Sequence, residues 1–318
     1  MARILLLGAS FSRNWNGWLA GEIMGDLFGR LADDTDLSTV LGCAGNFEDA
    51  LSEIQEQYKA DPSDANRARL ERMQGALMAT FRAMNEAFAR RPGLEFSNER
   101  RYSITDFLAR FDAIFTLNQD LLLELHYNIE LHEPRRWNGH HFPGMQPPPR
   151  WHNACGPFLR DRLDMAWCPA GDFRVEQNLQ PIFKLHGSVN WQAGDRGELL
   201  VLGGDKARTI SENRILSSYA DQFRRYLEMR DTRLMVIGYG FRDQHIDELL
   251  HESWRRSEFR MFVVHPRGRV VLTKMTNRGL LLPSPLARVQ LVGESMRPLS
   301  TTFNGDDLEH GRLLQFFE

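Results

Sequence analysis

A series of short, almost uninterrupted apolar runs constrains what this chain can fold into: Ile4 to Leu7, Ala113 to Leu117, Ile182 to Leu185, Leu234 to Ile237, Met261 to Val264 and, last, Val289 to Val292. Strands that are apolar throughout, instead of alternating, are covered on both faces, which is the mark of a parallel sheet packed between helices. Helical patterns separate the runs, so the fold class is α/β: a doubly wound, Rossmann-like parallel sheet. Most of these runs stop at a glycine, an amide or a histidine: Gly8, Asn118, His186, Gly238 and His265. Ligands of open α/β sheets bind beyond the carboxyl ends of the strands. Gly8, Asn118, His186 and Gly238 are therefore expected to converge, although they are far apart in sequence.

The remaining chain reads as elaboration of one domain spanning residues 1–318. A helix is expected through Trp18 to Ile23. Asn46 can cap a further helix, with Glu48 and Asp49 in its first turn and Phe47, Leu51, Ile54 and Tyr58 along one face. After the break at Asp61-Pro62-Ser63, Leu70, Met73, Leu77, Phe81, Met84 and Phe88 repeat at helical spacing, a stripe read as core packing. Residues 45–100 are thus predicted to be a helical insertion, and residues 127–180, rich in Trp, His, Pro, Gly and Arg, a small loop-rich subdomain. Another helix is expected from Ile215 to Glu228, with Leu216, Tyr219, Phe223 and Leu227 on one side.

Each strand end admits a structural and a chemical reading. Gly8, Ala9, Ser10, Phe11, Ser12 and Arg13 form a strand-to-helix turn whose small residues let backbone N–H groups approach a phosphate, with Ser10, Ser12 and Arg13 as added donors; a tight turn with no ligand has the same pattern. Asn118 and Asp120 can both reach one crevice, or can cap the helix beginning near Leu121. His186 either ends its strand inside the core or serves as a base there. Gly238-Tyr239-Gly240, followed by a possible cap at Asp243, make a second phosphate-capable turn. His140, His141, His152, Cys155 and Cys168 match no common zinc spacing.

A net charge of −3 and a pI near 6.4 give no electrostatic footprint for nucleic acid or anionic membrane. No apolar run approaches the roughly 20 residues that span a bilayer. Ile4 to Leu7 is too short for a signal segment, so a cytoplasmic protein is expected. Cys43, Cys155 and Cys168 are an odd, scattered set that argues against both structural disulfides and a four-cysteine zinc site.

Taken in order, Gly8-Ala9-Ser10-Phe11-Ser12, Thr116-x-Asn118-x-Asp120, Lys184-Leu185-His186-Gly187-Ser188 and Gly238-Tyr239-Gly240-Phe241 resemble the motifs of the sirtuin fold family. More closely, the chain is similar to the sirtuin-like NAD-hydrolases of prokaryotic anti-phage defence systems. Ser10 stands where sirtuins carry the second glycine of Gly-Ala-Gly, and three cysteines cannot build the zinc module of the deacylases. The resemblance implies NAD+ as substrate with no metal, a first loop from Gly8 to Arg13 on the pyrophosphate, and Gly238, Tyr239, Gly240 and His265 toward the adenosine. It further implies Asn118 orienting the nicotinamide ribose and the incoming water, Asp120 in support, and His186 as base. It implies an NAD+ glycohydrolase held in check by self-assembly into a homo-oligomer or by a companion protein: a short Argonaute, a HerA-type ATPase or a nucleotide-pyrophosphatase-like subunit. No direct nucleic-acid contact and no membrane are expected. The alternatives are a non-catalytic sensor of NAD or ADP-ribose and an NAD-dependent protein deacylase.

Overall fold

Leu5, Leu6 and Leu7 of the first apolar run are wholly shielded from solvent, because their strand lies mid-sheet with neighbours on both edges and helices on both faces. A computed structural model describes residues 1–128, 136–153, 156–193, 198–204, 206–275 and 281–318 of the chain. Its central sheet contains β1 (Arg3–Leu7), β2 (Ala113–Thr116), β3 (His140–His141), β4 (Gln180–Lys184), β5 (Arg233–Ile237), β6 (Arg260–Val264) and β7 (Leu291–Ser295). The order is β7-β6-β5-β1-β2-β4-β3, and every pairing is parallel. The chain runs outward from β1 through β2 to β4, then returns to the other side of β1 for β5, β6 and β7. The switch point lies between β1 and β5.

The helices follow from their stripes and caps. Between β1 and β2 run α1 (Ala9–Arg13), α2 (Ala20–Arg30), α3 (Thr35–Cys43), α4 (Phe47–Ala60), α5 (Asp64–Ala89) and α6 (Ile104–Leu108). Asn46 caps α4 by accepting from the Asp49 N–H at 2.9 Å, and Ser63 caps α5. Phe47, Leu51 and Ile54 of α4 and Met73, Leu77, Phe81, Met84 and Phe88 of α5 are buried, so the Met and Phe stripe is core. α2 covers much of the helix expected through Trp18 to Ile23, and α3 follows it before the two strongly striped helices. Beyond β2 come α7 (Leu122–His126), α8 (Lys206–Glu212), α9 (Arg214–Leu227) and α10 (Gln244–Ser257). The predicted face of α9, Leu216, Tyr219, Phe223 and Leu227, is buried.

The last strand lies further along than predicted. Val289 ends a short 3₁₀ turn, Pro285–Arg288, and β7 starts only at Leu291. As an edge strand with Val292 exposed, β7 reads Leu-Val-Gly-Glu-Ser and lacks the apolar run that marks a central strand. In the described part of 127–180, Phe142 packs edge-on against Trp167 and Trp191, and Trp151 against Trp167. Cys155 lies outside the described residues. Among the described residues no helix is long and apolar enough to cross a membrane.

Candidate functional site

Leu7 of β1 pairs with Ile237 of β5 on one side and with Thr116 of β2 on the other, and Thr116 pairs with Lys184 of β4. Gly8, Gly238, Asn118 and His186 therefore leave four adjacent strands at the same edge. Asn118 and His186 each stand two residues beyond the paired ends Thr116 and Lys184. The topology brings these four residues to one end of the sheet, the carboxyl end at which ligands of such sheets bind.

At that point the two glycine loops touch. The Gly8 N–H donates to the Ile237 carbonyl at 2.9 Å, and the Ser10 N–H donates to the Gly238 carbonyl at 3.0 Å. A Cβ on Gly8 would lie 2.6 Å from the Tyr239 Cα. One on Gly238, whose φ is +71°, would lie 2.3 Å from the Phe11 nitrogen. Both glycines are thus required by the contact between loops, and the Ser10 N–H is occupied by that contact instead of facing a phosphate. Ala9 remains exposed, and a Cβ on Gly240 would meet nothing nearer than 4.0 Å, so these are the loop positions that border open space.

The other predicted residues divide. Asn118 donates through Nδ2 to Ser12 Oγ at 2.9 Å, and its backbone N–H donates to Thr116 Oγ1 at 3.0 Å; the β1 and β2 ends are thereby latched together. Ser12 is buried and is the acceptor of this bond. Arg13 turns to Glu22 on α2, 2.5 Å away. Asp120 Oδ1 accepts from the Leu122 N–H at 3.0 Å, at the start of α7. The Tyr239 ring is buried and its hydroxyl donates to Asp247 Oδ1 at 2.8 Å, holding α10 to the loop. His265, beyond β6, accepts at Nδ1 from the Arg267 N–H at 3.1 Å; burial, then Arg267 and Arg242, push its pKa down.

His186 is 4% exposed. Its Nε2 lies 3.5 Å from Asp243 Oδ2 and has no hydrogen-bond partner. Asp243 Oδ2 is also 2.9 Å from Lys206 Nζ, and that ammonium lies 2.9 Å from Glu48 Oε2 on α4. Burial first, then the Lys206 charge, push the His186 pKa down to about 4, with Asp243 pulling the other way. Burial would raise the Asp243 pKa, but His186 and Lys206 together hold it below the usual carboxylate range. His186 is accordingly neutral at physiological pH, with an unengaged nitrogen beside a carboxylate. The strand following His186 is roofed by Leu199 to Val201: the Val201 N–H donates to the His186 carbonyl at 2.9 Å, and Gln119 Nε2 donates to the Val201 carbonyl at 2.6 Å.

Beneath Asn118 lies a buried ion pair that sequence reasoning missed. Lys184 Nζ donates to Glu124 Oε1 at 2.5 Å, to Ser188 Oγ at 2.8 Å and to the Asp120 carbonyl at 2.6 Å. Burial pushes the Glu124 carboxyl up, against the pull of Lys184. A lysine inside an otherwise apolar strand was the available signal. Asp243 was legible only as a helix cap. Lys206 and Glu48 meet across 158 residues of chain and carried no local signal. Among the described residues no group of three or more His, Cys, Asp or Glu side chains is arranged to hold a metal ion. A separate cleft of about 330 Å³ between Phe173, Leu199 and the start of α9 contains none of the predicted site residues.

A family model described as SIR2-like domain matches residues 112–281, just over half of the chain, a span that includes Asn118, His186, Gly238 and His265. No curated protein matches the chain.

Proposed function

The chain belongs to the SIR2-like domain family, and from that premise we propose that it is an NAD+ glycohydrolase, releasing nicotinamide and ADP-ribose from NAD+. The observation that carries this reading is the placement, just beyond the carboxyl ends of two adjacent strands, of an amide fixed by Ser12 and a buried neutral imidazole. The N-glycosidic bond of NAD+ already holds a cationic leaving group. Its cleavage asks the protein to bend the substrate, to stabilise a positive centre on the ribose and to deliver water. Asn118 positions without titrating, and His186, neutral above about pH 4, accepts a proton from a ribose hydroxyl or from that water. The nicotinamide ribose lies at the β2 and β4 ends and the adenosine toward Gly240 and His265.

The near-complete burial of His186 supports a restrained enzyme, and restraint suits an activity that would empty a cell of NAD+. The restraining or activating factor is a companion defence protein, of the Argonaute, ATPase or pyrophosphatase-like kinds named above, or a homo-oligomer of this chain. The test is nicotinamide release from NAD+ by the purified chain, alone and with the products of its neighbouring genes. His186→Ala and Asn118→Ala are each expected to abolish release, a loss of at least about 10²-fold, while the circular dichroism spectrum stays native. Wild-type rates in either variant would refute the assignment. Binding of NAD+ or ADP-ribose without turnover under every condition would instead select a sensor.

A further inference from the structure

Asp243 divides its two oxygens between two tasks. Oδ1 accepts from the Ile246 N–H at 3.4 Å and caps α10, a long and ordinary cap. Oδ2 faces inward, 2.9 Å from Lys206 Nζ and 3.5 Å from His186 Nε2, and the side chain is only 11% exposed. A carboxylate that served only as a cap would have no need of a second, buried oxygen aimed at an imidazole. Nε2 is buried with no hydrogen-bond partner and faces that oxygen, so it is the nitrogen placed to take a proton beside the carboxylate.

We propose that Asp243 is the positioning residue of His186, and that Lys206, clamped by Glu48 of α4, competes with the imidazole for the same carboxylate oxygen. The proposal rests on the reading of His186 as base. In the base step the O–H bond of a ribose hydroxyl or of water breaks, its electron pair stays on oxygen, and the proton goes to Nε2. The new imidazolium N–H then donates to Asp243 Oδ2, and the proton later leaves to solvent. Lys206 on that oxygen weakens the stabilisation, and its own charge opposes a second cation nearby. Withdrawal of Lys206 from Asp243 gives the carboxylate wholly to His186 and makes it a stronger base. Helix α4, through Glu48, thereby tunes a base carried by another element. The charged and titratable groups facing His186 are Asp243 and His245 from the α10 end and Lys206 from α8, with Glu48 of α4 behind Lys206.

Asp243→Asn keeps the cap and the size and removes the charge; Lys206→Met keeps the stem and removes the ammonium. Two measurements on the full chain test the proposal: the pH profile of nicotinamide release under whichever condition supports it, and the NMR titration of the His186 imidazole without substrate, identified by its loss in His186→Ala. Asp243→Asn is expected to lower kcat by roughly 10²-fold with KM within about twofold, and to move both the acid limb and the imidazole titration to lower pH. Lys206→Met is expected to move both to higher pH. An imidazole that titrates identically in all three proteins, or an undiminished kcat in Asp243→Asn, would overturn it. Should the wild type release no nicotinamide at all, the glycohydrolase reading fails, and the imidazole titration still decides whether Asp243 and Lys206 govern His186.

Discussion

Gly238 and Gly240 stand two residues apart in one loop and do different work. Gly238 has a φ of +71° and leaves 2.3 Å between a would-be Cβ and the Phe11 nitrogen, whereas Gly240 borders open space. Gly238→Ala incurs the left-handed backbone cost of about 1–3 kcal/mol, with the steric clash added. Gly240→Ala is expected to change stability by less than about 0.5 kcal/mol. Urea unfolding of the two variants reads the contrast directly; equal midpoints would mean that the β1 and β5 loops do not touch as described. Lys184 makes a second residue-scale test. Lys184→Met leaves Glu124 charged and uncompensated in the core, which is expected to cost about 3–5 kcal/mol, and adding Glu124→Leu should return much of it. A single variant as stable as the wild type would show that Glu124 is already protonated.

At the level of elements, what could be read in advance followed from burial on both faces. The apolar runs located β1, β2, β4, β5 and β6 to within two residues, because a central strand of a parallel sheet has no polar face to blur the pattern. β7 was misplaced because an edge strand has such a face, and β3 was missed because two residues make no pattern. Two helix caps were legible as well, Asn46 and Asp243, and both accept from the first turn they open; Ser63, read only as part of a break, caps α5 in the same way. The site was legible only where it leaves a strand end. Asn118 and His186 were visible, but the partners that set their chemistry, Ser12, Asp243, Lys206 and Glu48, arrive from other elements through contacts no local spacing encodes. In the first loop the Ser10 N–H faces a neighbouring carbonyl, and a turn of small residues looks alike in sequence whether its N–H groups do that or face a phosphate. α4 joins both themes. Asn46→Ala removes its cap and is expected to lower stability by about 1 kcal/mol, seen as a shifted urea midpoint; an unchanged midpoint would show that packing against α5, not the cap, fixes the turn that holds Glu48.

For the whole molecule, the histidines set the response to acid. His186 is buried and His140 half-buried, and each is pushed down to about 4, chiefly by desolvation; His126, His141, His265 and His310 are lowered as well. In the unfolded chain these groups return to about 6.5. Between the two values the unfolded state binds protons that the native state refuses, so stability rises with pH across that window. The contribution is complete above about pH 6.5 and disappears as pH falls toward 4. Each strongly shifted histidine adds a slope of about 1.4 kcal/mol per pH unit there. The lowered carboxyl of Asp243 acts in the same direction, but its stabilisation is lost only under more acidic conditions, below the ordinary carboxylate range. The urea midpoint is therefore expected to be level from pH 8 to about 7 and to fall steeply below about 6.5, before the carboxylates titrate. His140 lies among Tyr127 and Phe142, so His140→Phe keeps the aromatic packing while deleting one titrating group, and its slope should be shallower than that of the wild type. A midpoint unchanged down to pH 4.5 would mean that these imidazoles accept protons in place, with His186 already paired to Asp243 as a cation.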